Sequence, residues 1–103
     1  MTEKYVVEGD VAILYSPGYG AGWSTWGDKE LAYDKDLVGA YMQGGVDKLA
    51  EVTLKKYPGT YLGGISDIEV EWVAQGTRFR INEYDGSESV ELLGSSYDSF
   101  TVA

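Results

Sequence analysis

The sequence predicts an α+β fold: a mainly antiparallel sheet, built from an N-terminal strand and a C-terminal meander of three to four strands, with two short helices between. Three observations carry this prediction. Residues 78–93 alternate apolar and polar side chains around Asp85-Gly86, the pattern of a hairpin. Residues 46–57 repeat apolar and small side chains with a 3.6-residue period, the pattern of a helix. Gly44-Gly45, Pro58-Gly59 and Gly63-Gly64 break the chain between such stretches. At 103 residues and 44% hydrophobic content, the chain is expected to form one domain over residues 1–103.

The elements follow in order. Residues 11–15 are a short apolar run and read as a strand, with an extended piece at 5–7 and a turn or bulge at Gly9-Asp10. Residues 16–28, SPGYGAGWSTWGD, hold too much glycine for a regular element and read as a loop. Asp34 or Asp36 can cap a helix over 36–43, which Gly44-Gly45 stops. The helix over 46–57 ends at Pro58-Gly59, with Lys55 and Lys56 complementing its dipole. Residues 60–66 form a loop. Strands are expected at 68–73, 78–84 and 87–93, with a further one at 99–102.

The meander can be registered from its turn. A two-residue loop at Asp85-Gly86 pairs Tyr84 with Ser87, Glu83 with Glu88, Asn82 with Ser89, Ile81 with Val90, Arg80 with Glu91 and Phe79 with Leu92. The apolar pairs then share one face, and a one-residue slip would mix the faces. A second hairpin turning at 74–77 would set Trp72 beside Phe79 and Val70 beside Ile81. Arg80 would then stand between Glu71 and Glu91, either as a solvated ladder or as a group ready to meet an anion. The register also opposes Glu83 and Glu88 on the core-side face. Such a pair must be solvated past the core, protonated, or bridged by a cation. The segment EYDGSE lacks the spacing of a calcium loop, and no metal site is expected.

Residues 16–28 are the most site-like stretch. Their glycines fit neither a phosphate loop ending in Gly-Lys-Ser/Thr nor a dinucleotide fingerprint, so no cofactor is expected. The backbone at Gly20 and Gly22 can approach a ligand closely. Tyr19, Trp23 and Trp26 offer flat walls and Ser24 a hydroxyl, while Arg78 and Arg80 could meet an anionic group. The alternative is a self-packed loop covering one end of the sheet.

Composition removes several function classes. The net charge is −9, which disfavours direct nucleic-acid binding through phosphates. Residues 67–98 hold eight carboxylates against Arg78 and Arg80 alone. Without histidine or cysteine there are no Ser-His-Asp or Cys-His nucleophiles, no disulfides and no thiolate metal sites. Neither a membrane span nor a signal peptide at Met1 is apparent, and the chain reads as cytoplasmic.

The block SPGYGAGWSTW, with residues 68–73 and RFRINEYDGSESVE, resembles small uncharacterised proteins of tailed-bacteriophage genomes from about Val11 onward. The resemblance implies a protein acting in the host bacterial cytoplasm and countering host defence. It implies no catalytic residues. Three functional readings remain open. One is a non-enzymatic, even homo-oligomeric, binder that sequesters a small polar or nucleotide-like ligand through Tyr19, Gly20, Gly22, Trp23, Ser24, Trp26, Arg78 and Arg80. The second is an acidic inhibitor of a host protein, including nucleic-acid mimicry, through Glu71, Glu83, Asp85, Glu88 and Glu91. The third is a carboxylate-based enzyme.

Overall fold

The apolar run at residues 11–14 decides the architecture, because it is buried on both of its faces. The computed structural model describes residues 3–92 and 101–103. Strands β1 (Val6–Val7) and β2 (Asp10–Tyr15) form a hairpin, and β3 (Glu69–Ala74) pairs antiparallel with the other edge of β2. This first sheet has the order β1-β2-β3. Strands β4 (Arg78–Tyr84), β5 (Ser87–Leu92) and β6 (Thr101–Val102) form a second sheet in the order β5-β4-β6. The single main helical element, α1, spans Lys35–Lys56.

Side chains of a strand point alternately to opposite faces. Ala12 and Leu14 therefore pack with Leu37, Val38 and Leu49 of α1, together with Trp23, Leu31 and Ile68. Val11 and Ile13 pack the other way, with Val73, Ala32, Tyr33, Phe79 and Ala103, flanked by Ile81 and Val90 of the second sheet. The first sheet is thus a middle layer between α1 and the second sheet. A strand buried on both faces reads as a continuous apolar run rather than an alternating one.

The α+β prediction holds in this coarser form, and two finer expectations need correction. The predicted hairpin between the third and fourth strands does not form. The chain does turn where expected, with Thr77 N–H donating to Ala74 O. However, Gly76 N–H donates to Ala103 O and Ala103 N–H to Thr77 O. The terminal residues thus occupy this corner, and β6 lies beside β4. β3 pairs with β2, so Trp72 lies opposite Ala12 and Glu71 opposite Ile13. Arg80 consequently faces Glu91 but not Glu71. The other correction concerns the helices. The two predicted helices are joined in α1, broken only at Gly45, whose φ of 69° and ψ of −153° are non-helical. A glycine tolerates that backbone where a Cβ would not. Residues 93, 99 and 100 of the predicted strands lie outside the described residues. Among the described residues no helix is long and apolar enough to cross a membrane.

The two ends of α1 are tied together by Asp34. Its Oδ1 accepts from Asp36 N–H at 2.9 Å, capping the helix start. Lys56 Nζ bridges both carboxylate oxygens, at 3.0 and 2.8 Å, and Tyr57 Oη donates to Oδ2. Burial pushes the Asp34 carboxyl up, but the bonds from Lys56, Tyr57 and Asp36 outweigh it and hold it below its ordinary 3.8. Hydrogen bonds to Asp34 and Asp36 raise the Lys56 ammonium above its ordinary 10.5. The stability from Asp34 is present at neutral pH and is lost as pH falls through the lowered folded-state value. That from Lys56 is complete below its ordinary value and is lost as pH rises through the raised one. Asp34→Asn, which keeps the cap and removes the charge, should cost about 1–2 kcal/mol at neutral pH, the range for a charged hydrogen bond to a part-exposed lysine. Urea melts of both proteins should show this difference shrinking as pH falls below the ordinary carboxylate range.

Candidate functional site

The loop over residues 16–28 folds back on the tip of the β4–β5 hairpin, and one side chain holds it there. Asp85 and Gly86 have φ of 50° and 84°, the positive values that a two-residue hairpin turn requires. The turn sets the register, and all six pairs from Phe79–Leu92 to Tyr84–Ser87 are those predicted. Glu83 and Glu88 are therefore opposite each other, on the face that looks inward. They do not share an environment. Glu83 turns to the hairpin's own tip and accepts from Gly86 N–H at 2.7 Å. Glu88 points into the loop and is only 2% exposed.

Neutral donors from the loop surround the Glu88 carboxylate. Oε1 accepts from Ser16 N–H at 3.0 Å. Oε2 accepts from Trp23 N–H at 2.7 Å, Thr25 N–H at 3.1 Å and the Thr25 hydroxyl at 2.5 Å. A loop without regular structure has backbone amides to satisfy, and a buried carboxylate needs donors. Each meets the other's requirement. Two backbone bonds, Glu88 N–H to Ser16 O at 2.7 Å and Gly20 N–H to Asp85 O at 2.6 Å, and one from the Ser87 hydroxyl to Pro17 O at 2.7 Å add to these. The fit is close enough that a Cβ on Gly86 would overlap the Ala21 backbone nitrogen.

This packing determines where the predicted ligand residues stand. Trp23 is fully buried in the core, its indole N–H donating to Leu31 O at 2.9 Å. Trp26 is 43% exposed and stacks at a tilt on Tyr61, with ring centroids 5.7 Å apart. Tyr19 is exposed. Gly20 donates its amide to Asp85, and Gly22 is packed against the Thr25 and Trp26 side chains. The loop's aromatics and glycines therefore do not line one pocket. Arg78 lies on β4 opposite Val102. Of the predicted residues, Ser24 and Arg80 come together, on the wall of a cleft of about 360 Å³ between the loop and β4.

That cleft is also lined by Thr25, Lys29, Ala32, Tyr33, Phe79, Ile81 and Thr101. Tyr33 and Phe79 meet edge to face, with centroids 6.3 Å apart. Burial, helped by the charges of Glu30 and Asp34, raises the Tyr33 phenol above its ordinary 10.0, so it stays neutral at physiological pH. Arg80 Nε donates to Glu91 Oε1 at 2.6 Å and Asn82 to the same oxygen at 3.0 Å. The hydrogen bonds from Arg80 and then Asn82 hold the Glu91 carboxyl below its ordinary value. A second depression, lined by Glu3, Glu30, Asp34, Lys35, Asp36, Lys56 and Tyr57, is larger. Both of its lysines are already paired, Lys56 with Asp34 and Asp36 and Lys35 with Glu3.

The carboxylates read as a partner surface are not gathered on one face. Glu71 is on β3 in the other sheet, Glu88 is buried, Glu83 caps Gly86, Glu91 holds Arg80, and Asp85 is exposed at the turn. Among the described residues no group of three or more carboxylates converges as a metal site. Sequence reasoning missed Lys29, Tyr33 and Thr101, which only the tertiary fold brings to the cleft. Compared with protein-family models, curated proteins and solved structures, the chain matches none of them.

Removing the Glu88 carboxylate strands the buried amides of Ser16 and Trp23 and the part-buried amide of Thr25. Glu88→Ala should destabilise the protein by about 3–5 kcal/mol, the range for breaking a buried charged network. Glu88→Gln keeps the volume but turns one of its two acceptor oxygens into a donor, and should cost about 2–3 kcal/mol. Denaturant melts check both, and a cost under 1 kcal/mol for Glu88→Ala would contradict the arrangement.

Proposed function

We propose that the chain is a non-enzymatic binding protein that holds a small anion with a flat or apolar part in the cleft between residues 24–33 and β4. The observation that carries this reading is the cleft's lining. Tyr33, Phe79, Ala32 and Ile81 supply apolar wall, Ser24, Thr25 and Thr101 supply hydroxyls, and Lys29 supplies positive charge beside Arg80, which is paired with Glu91, in a chain whose net charge is −9. Apolar walls with a few convergent polar groups are the usual composition of a small-molecule site. The volume is near the lower end of such sites, which suits a single nucleotide-sized or smaller ligand rather than a macromolecule. A chain without histidine or cysteine lacks the commonest general base and the intrinsically most nucleophilic side chain, which favours binding over chemistry. Sequestration of such a ligand would suit the role against host defence that the resemblance to small phage proteins implies.

The test is a thermal-shift and tryptophan-fluorescence screen with nucleoside monophosphates and small aromatic carboxylates. At least one should raise Tm and bind about tenfold more weakly to Lys29→Ala, a difference of ~1.4 kcal/mol. Lys29 is exposed on the cleft rim, so the variant alone should melt like the wild type. No shift with any member, and unchanged fluorescence, would overturn the reading.

A further inference from the structure

The loop that receives Glu88 has the features of an anion-binding site, independently of the cleft. Its donors are the backbone amides of Ser16 and, further along the same loop, of Trp23 and Thr25, together with the Thr25 hydroxyl. Concave arrangements of backbone N–H groups bind anions without any cationic side chain. Here one donor meets Oε1 and three meet Oε2, which matches two oxygens in a plane. Ser16, Trp23 and Glu88 are buried, while Thr25 stands at the exposed edge of the site. The loop geometry has its own support. Trp23 is anchored in the core through its indole N–H to Leu31 O, and Gly64 sits so close to the Gly22 carbonyl that a Cβ there would clash.

We propose that the Ser16–Trp23–Thr25 nest is a carboxylate-binding site in its own right, with Glu88 as its built-in ligand, and that it accepts a free small monocarboxylate when the Glu88 carboxylate is removed. The tethered Glu88 carboxylate is present at a high effective concentration, so the intact protein leaves no room for a competitor. Truncation to alanine removes the carboxylate and the methylene before it, leaving space of about the size of formate or acetate. The donors remain, and a ligand that binds only the folded state must stabilise it by mass action.

The experiment is chemical rescue of Glu88→Ala. Its folding equilibrium constant is measured by denaturant melts in sodium formate and in sodium acetate, against sodium chloride at the same ionic strength. The wild type and Glu88→Gln, in which a side chain still fills the nest, serve as controls for general salt effects. Formate at 100 mM should raise the folding constant of Glu88→Ala about tenfold over chloride, as for a site with a dissociation constant near 10 mM. It should leave both controls within about twofold. If Glu88→Ala is largely unfolded in chloride, the same tenfold gain is read by circular dichroism as a rise in the folded fraction. Amide NMR of the folded variant should show the Ser16, Trp23 and Thr25 N–H signals shifting with formate in one saturable curve. A gain no larger than that of the controls, or a saturable response at other amides only, would overturn the proposal.

Discussion

The Glu88 carboxylate is the interaction on which the packing of the glycine-rich loop against the second sheet depends. It lies on β5, two residues past the hairpin turn, and accepts from residues that are 63 to 72 positions away in the chain. A charge buried without a cationic partner is costly, and the four donors around it are what make it tolerable. The same bonds order a glycine-rich loop whose backbone would otherwise lose much entropy for little return. Glycine and carboxylate are therefore complementary parts of one structure. The loop is flexible in sequence and fixed in space because one acid gathers its amides.

This closure has consequences beyond the hairpin tip. Trp23 N–H is held by Glu88 while its indole is anchored at Leu31 O, so the residue fixes the loop to both the second sheet and the core beneath α1. Ser24 and Thr25, next along the chain, then present one wall of the cleft to Phe79, Arg80 and Ile81. The wall is formed by the chain's own bonds, so a ligand taken up as proposed would meet it already ordered. Asp34 does the corresponding task for the helix, tying the start of α1 to Lys56 and Tyr57 at its end.

Local signals were legible in the sequence and long-range ones were not. The Asp85-Gly86 turn specifies its own register, because a slip would put Phe79 and Ile81 on the wrong face. The break at Gly45 was readable as a helix stop, though the chain resumes the helix beyond it. The turn at residues 74–77 was also readable, but a turn does not say whether its flanking strands pair. Ala103 settles that by bonding to Gly76 and Thr77 from the far end of the chain. The unbroken apolar run of β2 carried the missing hint, since it signals a strand covered on both faces. For the site, the register put Glu88 on the inward face and raised the question of what would meet it. Solvent, a proton and a cation were natural answers; backbone amides of a loop some 65 residues earlier were not deducible from spacing. Nor could composition tell whether Trp23 and Trp26 wall a pocket. One fills the core and the other stacks on Tyr61.

Amide hydrogen exchange at Ser16, Trp23 and Thr25 tests most directly whether one carboxylate holds the loop. In the wild type these three amides should exchange as slowly as those of β2, through global unfolding alone. In Glu88→Gln at least one of them should exchange by a faster, local route while β2 stays protected. Fast exchange of all three in the wild type, or unchanged protection in the variant, would contradict the account.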